Sequence, residues 1–596
     1  MGDSGLLQPG NTEMATFSQR LSRHARSFDL PENHLGNLLG RPGRFRACSL
    51  GIDGFHLDFS RQRIDGDGLL TLQRLAQATG CLDRFTRMAD GETVNLSENR
   101  AALHTAARGT GRQPLNIGGM DVRKEIARVQ GEIKAFTGAV HAGEVRTARG
   151  HRFTQAVVVG IGGSYLGCEF AYEAMAPNLE RHMPLHFLPN VDIDNFGAVV
   201  REIDPETTLW IVISKSYTTT ETMANLSQVA SFLKDRQIDP GSCLVTVTAK
   251  GSPGDDPATP VLAAFHMFDF IGGRYSVSSA VGGVPLSLAY GYEGFQRFLS
   301  GCRTMDEHVL DAPVEKNIPV TSALLSVWNT VFLGYGAQAV IPYASRLSRL
   351  APHVQQLYME SIGKSVDPRG TPLSRPAGTI IFGEPGTNAQ HSFFQLAHQG
   401  PAFPIEFIGV VTPGYTGPQA FSKGVTNHQE LWANLLAQAR ALATGRDHDD
   451  PARQFDGKLL SVKIQPENGF RSEIIDGRYS GFVRPLAHYN VFRTHTQAMP
   501  FRPAFCSGRS QLFIEADNIH RRLPDKAGHK ARGRPVIELT RNIRLHHLAV
   551  IEQYHLIRHG HGFDLVMGDI NHGQAEPLLQ RADFIAHAGP EFCVQI

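Results

Sequence analysis

Five short segments hold residues whose types and spacing suit chemistry on a phosphorylated compound. In VVVGIGGSYLG (157–167) glycines fall where an apolar run gives way to a helical pattern. Missing side chains there let backbone N–H groups approach an anion at a helix start. The spacing fails the dinucleotide fingerprint, because Tyr165 stands where a third glycine is required. A tight turn with no ligand is the plainer alternative. In TLWIVISKSYTTTET the run ends in Ser214, Lys215, Ser216, Thr218, Thr219 and Thr220, hydroxyls gathered around one cation. Such a loop grips a phosphate without heavy net charge, although Ser and Thr runs also serve as helix caps.

The remaining three segments offer proton chemistry. FDFIGGRYSVSSAVGG presents Arg274 beside Gly272 and Gly273, and LYMESIGKSVD offers Glu360 among bulky apolar neighbours, with Gln356 four residues earlier. A carboxylate desolvated by such neighbours is pushed toward the range useful to a general base, and a guanidinium nearby can stabilise an oxyanion. Single glutamates and arginines are otherwise solvated surface groups. GEPGTNAQHSFFQLAHQG adds His391, a proton carrier near neutral pH or a merely packed residue.

These segments need rigid elements to bring them together. From about residue 154, β-branched runs alternate with helical patterns: QAVVVGI, PLHFLPN, TLWIVISKS and SCLVTVTA, and later GTIIFGE and PIEFIGVV before a long helix at NHQELWANLLAQARALATGR. The alternation predicts α/β units with parallel sheets flanked by helices, and its resumption predicts two of them. Residues from about 15 to 150 read as a helical lead-in, as in DVRKEIARVQGEIKAFTGAV.

Bulk properties narrow the class. The chain has 596 residues, 41% hydrophobic and 19% charged, with a net charge of +1. That size favours more than one packed unit, and the near-zero charge gives no sign of a nucleic-acid partner. Seven scattered cysteines without C-x-x-C spacing favour a reducing compartment. Neither an export signal nor a membrane-length apolar run is visible, so a cytoplasmic location is expected.

Taken in order, GIGGS, SKSYTTTET, GGRYS, QQLYMESIGKS and GEPGTNAQH resemble the glucose-6-phosphate isomerase family, as do LDFSRQRI, LSENRAALHTAARG and LWANLLAQARALATGR. The resemblance covers roughly residues 50 to 457. It implies two SIS-type three-layer αβα domains with parallel sheets: an N-terminal helical segment over 1–120, a first SIS domain over 121–300, a second over 301–457, and an atypical tail over 458–596. It further implies a homodimer with shared sites that interconverts glucose 6-phosphate and fructose 6-phosphate without metal or other cofactor. On that basis Ser164, Ser214, Lys215, Ser216 and Thr219 hold the phosphate and Gln356 contacts the sugar. Glu360 moves a proton between C2 and C1, Arg274 steadies the cis-enediolate, and His391, which the family takes from the partner subunit, helps open the ring. A non-catalytic SIS-type sugar-phosphate-binding protein is the alternative.

The resemblance stops near Lys458. Family members continue with a helix and a closing segment that brings a glutamine and a lysine to the site, and no lysine of the tail (458, 463, 526 or 530) has that context. The tail carries 11 of the 26 histidines and no clear periodicity, which favours a shifted reading frame or fusion over a replacement domain or divergence. In HLIRHGHG, Arg558, His559 and Gly560 resemble the start of a histidine phosphatase domain, but only 36 residues follow. His555, His559 and His561 lack a fourth metal ligand.

Overall fold

The structure is a computed structural model that describes residues 11–446 apart from 53, 97, 112–113, 368–369 and 423, together with 455–456 and 460–465. In chain order its main elements begin with helix α1 (Asn11–Ser27), the hairpin strands β1 (Ser49–Ile52) and β2 (Phe55–Asp58), and helices α2 (Gly66–Ala78), α3 (His104–Ala107) and α4 (Val122–Ala142). Then come β3 (Gln155–Val159), α5 (Leu166–Met175), β4 (Leu185–Leu188), β5 (Thr208–Ile213), α6 (Thr220–Lys234), β6 (Leu244–Ala249), β7 (Ala263–Met267) and α7 (Ala280–Asp311). The last group is α8 (Ile318–Val327), β8 (Ala337–Tyr343), β9 (Ile380–Phe382), β10 (Ile405–Val410), α9 (Asn427–Thr444) and β11 (Leu460–Gln465).

Two sheets carry the fold. The first runs β4-β3-β5-β6-β7 and is parallel throughout. Its centre is apolar on both faces, since all six residues of β5 are buried, as a sheet covered by helices on both sides requires. Some helix ends also follow from local chemistry. Asp121 caps α4 by accepting from the Lys124 amide, Gly143 ends it at φ 75°, and Thr426 with Gln429 forms a reciprocal capping box on α9.

The second sheet runs β1-β2-β11-β10-β8-β9. Strands β9, β8, β10 and β11 are mutually parallel, and the β1–β2 hairpin closes one edge antiparallel to β11. The N-terminal segment is mainly helical, and the hairpin within it belongs to this sheet, with Leu57 and Phe59 joining its core beside residues of α1 and α2. Strand β11 lies beyond residue 457, where the second domain was expected to end, and pairs with β10 on one side and β2 on the other. Short strands interrupted by polar residues give little periodic signal, so pairing partners far away in sequence decide their fate. The tail motif at 555–561 lies outside the described residues.

Candidate active site

Parallel order places the chemical segments side by side. Strands β3 and β5 are neighbours, so the turns leaving their C-terminal ends adjoin, the position where open α/β sheets bind ligands. After β3 the chain makes a tight turn at Gly162–Ser164 before α5, with Gly162 at φ 58°. After β5, Ser214 is buried and its Oγ accepts from the Tyr217 amide (3.1 Å) and meets Thr219 Oγ1 at 3.3 Å. Ser216 Oγ accepts from the Thr218 amide and hydroxyl (3.3 and 2.7 Å). These contacts pull the loop into a compact cup ending on Thr219 at the start of α6. Lys215 Nζ, the cation expected for phosphate, lies 3.2 Å from Asp269 Oδ1 and is ion-paired with it.

The loop after β7 closes onto the first turn. A β-carbon at Gly163 would lie 2.3 Å from the carbonyl of Gly273 and 2.7 Å from the amide of Arg274, a contact only glycine permits. Ser276 Oγ bridges the carbonyls of Gly163 (3.2 Å) and Gly273 (2.6 Å). Arg274 then extends to the other half of the molecule, where Nη1 meets Glu360 Oε1 at 2.9 Å and Nε donates to Ser361 Oγ at 2.7 Å.

Glu360 and Gln356 both sit on a π-helical turn, Gln355–Glu360, that follows the short helix Leu350–Val354. The wider turn keeps residues four apart on one side, and such turns recur at functional sites. Tyr358 Oη to Ser326 Oγ (3.0 Å) and Gln355 Nε2 to the Ile381 carbonyl (3.0 Å) fasten it to α8 and β9. Gln356 overhangs the first turn, its Nε2 being 3.1 Å from where a β-carbon of Gly162 would stand.

One sequence expectation is corrected here. Glu360 is not desolvated by its apolar neighbours: its side chain is 50% exposed. Met359 is exposed too and Tyr358 turns toward Ser326, so the turn points them away from the carboxylate. His391 follows the helix Gly386–Gln390 as an exposed residue, and no hydrogen bond or ion pair among the described residues joins it to the other candidates. The geometry therefore gathers Ser164, Ser214, Ser216, Thr219 and Lys215 on the first sheet and Gln356, Glu360 and Arg274 at the junction. Sequence reasoning passed over Ser361, Tyr275, Ser276 and Asp269. All four lie inside segments already singled out, but their roles depend on contacts between distant parts of the chain. No group of three or more His, Cys, Asp or Glu among the described residues is arranged to hold a metal ion.

Known proteins were then compared with the chain. The family model described as Phosphoglucose isomerase matches residues 58–473. A glucose-6-phosphate isomerase of Desulfosudis oleivorans is 56% identical over 478 residues, 80% of this chain and 87% of that protein. A cytosolic glucose-6-phosphate isomerase of Zea mays is 42% identical over 452 residues, 74% and 77% of the two chains. The crystal structure of a glucose-6-phosphate isomerase from Chlamydia trachomatis covers 78% of this chain and 87% of its own, with a TM-score of 0.71 at 35% identity. The family match takes in strands β3 to β11 and every segment of the site, and the chain belongs to the phosphoglucose isomerase family.

Proposed function

We propose that the chain is a glucose-6-phosphate isomerase in which Glu360 shuttles a proton between C2 and C1 of the opened sugar. Fructose 6-phosphate and glucose 6-phosphate differ only in which of those carbons carries the carbonyl. Removing the proton from one leaves a cis-enediolate, and returning it to the other while the hydroxyl proton passes between O2 and O1 completes the exchange. Glu360 is the base and then the acid, with the other carboxylate oxygen free to accept solvent. Arg274 stabilises the negative charge that develops on the enediolate oxygens. The hydroxyl cup of Ser214, Ser216 and Thr219, with Ser164 and Lys215, takes the phosphate, and Gln356 contacts the sugar. His391 of the partner subunit opens the ring, so the active form is a homodimer, and the cytosolic relatives favour a cytoplasmic location.

The observation that supports this reading best is the 2.9 Å pairing of Arg274 with Glu360, one group brought by each half of the fold. Substrate must part this pair to reach both groups, the carboxylate for the carbon-bound proton and the guanidinium for the oxygen beside it. A coupled assay converting fructose 6-phosphate to glucose 6-phosphate, run beside Glu360→Gln, tests it. Turnover that falls by at least about a hundredfold in the variant is expected of a lost general base. Wild-type protein that binds fructose 6-phosphate without turnover would instead make the chain a sugar-phosphate-binding protein.

A further inference from the structure

We infer that Ser361 is a positioning residue that fixes the plane of the Arg274 guanidinium beside Glu360, and that Tyr275, stacked on His104, holds the serine hydroxyl in place. The inference rests on the isomerase reading above and adds a group to it that touches no substrate atom.

The argument begins with the one hydrogen a serine hydroxyl owns. Ser361 donates it to the Leu357 carbonyl one turn back. Its remaining capacity is two lone pairs, so both other contacts must donate into them. Arg274 Nε–H does so at 2.7 Å and Tyr275 O–H at 3.0 Å. Every hydrogen-bonding valence of Ser361 Oγ is therefore filled, and its position is set by the helix backbone. The tyrosine is held in turn, with the His104 ring 4.6 Å from its centroid at 23°.

Two hydrogen bonds hold the guanidinium, Ser361 at Nε and Glu360 at Nη1, and the Tyr275 ring lies 5.5 Å from its carbon. Only one of them can persist through the reaction. A carboxylate that accepts the C2 proton gives up its charge, and with it most of its hold on Arg274. The neutral hydroxyl changes nothing during the cycle. Stabilisation of an enediolate depends on donors aimed beforehand within a few tenths of an ångström, and Ser361 is the contact that can aim this one throughout.

The test compares Ser361→Ala, Ser361→Thr and Tyr275→Phe in the full chain, beside Glu360→Gln. Steady-state kinetics with fructose 6-phosphate are paired with binding of a five-carbon sugar-acid phosphate whose planar hydroxamate mimics the enediolate. Ser361→Ala is expected to lower kcat by about 10- to 100-fold with KM within about threefold, and to weaken the hydroxamate by the same factor. Ser361→Thr restores most of both, and Tyr275→Phe loses about three- to tenfold. A folded Ser361→Ala protein with unchanged kcat, or with KM alone raised, overturns the proposal. Should Ser361→Ala fail to fold, Tyr275→Phe decides: unchanged kcat and unchanged hydroxamate affinity overturn it. Wild-type protein without turnover would defeat the isomerase reading itself, and undiminished turnover in Glu360→Gln the assignment of the base, whichever way the serine variants behave.

Discussion

Gly163 and Gly273 meet backbone to backbone, so closely that a β-carbon on Gly163 would stand 2.3 Å from the Gly273 carbonyl carbon. The glycine turn after β3 and the loop carrying Arg274 are thus welded into one body, with Ser276 as the rivet. Gly163→Ala must separate them, because the obstruction is main chain and has no rotamer to yield. Destabilisation of about 1–3 kcal/mol is expected of such overpacking. The larger effect falls on activity, since moving Arg274 by a fraction of an ångström to an ångström costs on the order of a hundredfold in kcat/KM. A melting curve and an assay on the same sample check both, and wild-type kcat/KM in Gly163→Ala would show that the contact aims nothing.

Arg274 makes separate contacts through Nε and Nη1, which a lysine cannot reproduce with one ammonium. Arg274→Lys keeps the charge and loses the fork. A fall in kcat of roughly a hundredfold, larger than any rise in KM, is expected for a group that acts on the transition state. If KM rose and kcat held, Arg274 would be a ground-state anchor.

Lys215 is engaged by Asp269 at 3.2 Å, and Arg100 lies 3.5 Å from the same carboxylate oxygen. An incoming phosphate must displace Asp269 from the lysine. Because the aspartate is 69% exposed, the competition is weak and screened. Asp269→Asn is expected to lower KM for fructose 6-phosphate about two- to fivefold at low ionic strength, with the gain vanishing near 0.5 M salt. A higher KM would mean that Asp269 holds Lys215 ready for the ligand.

Stability should fall on mild acidification. Burial, with Arg108 nearby, pushes the His104 imidazole down to about 3 and that of His353 down to about 4. Unfolded histidine takes up its proton near 6.5. Between about 6.5 and 4 the unfolded chain therefore binds protons that the native chain refuses, and the native state loses ground as pH falls. Each group contributes up to about 1.4 kcal/mol per pH unit in that window. His104→Phe, which keeps a flat ring against Tyr275, should melt with a shallower dependence between pH 6.5 and 5 than the wild type. Equal slopes would show that His104 is hydrated in the native protein.

The legible parts of the fold were those whose signal is local. QAVVV and TLWIVI announce two buried parallel strands, and the hydroxyls after Ile213 the turn that follows the second, without help from elsewhere. The site's second tier was illegible for the opposite reason. Ser361 and Tyr275 sit in quoted motifs, yet their meaning depends on a contact across 86 positions, which no periodicity encodes. A π turn at 355–360 likewise looks like ordinary helix in sequence, because its apolar spacing differs from 3.6 by less than one residue over so short a run. The hairpin at 49–58 and strand β11 went unread because the pairing that joins them sets Asp58 against Val462, far apart in sequence.

Strand β11 carries the last prediction. It occupies the interior of the second sheet, where Ile464 is paired with Gly409 of β10 and His56 of β2. A proline there removes an amide donor from an interior strand and strains the ladder, whereas at a sheet edge it would be tolerated. Ile464→Pro is therefore expected to cost about 3 kcal/mol or more and to release the β1–β2 hairpin, which reaches the rest of the sheet through β11. Hydrogen exchange on the amides of 405–410 and 55–58 reads the effect directly, since both strands lose protection together. Protection kept in both strands, with an unchanged melting temperature, would place residues 460–465 outside the sheet. The second domain would then close at residue 457, as the sequence alone suggested.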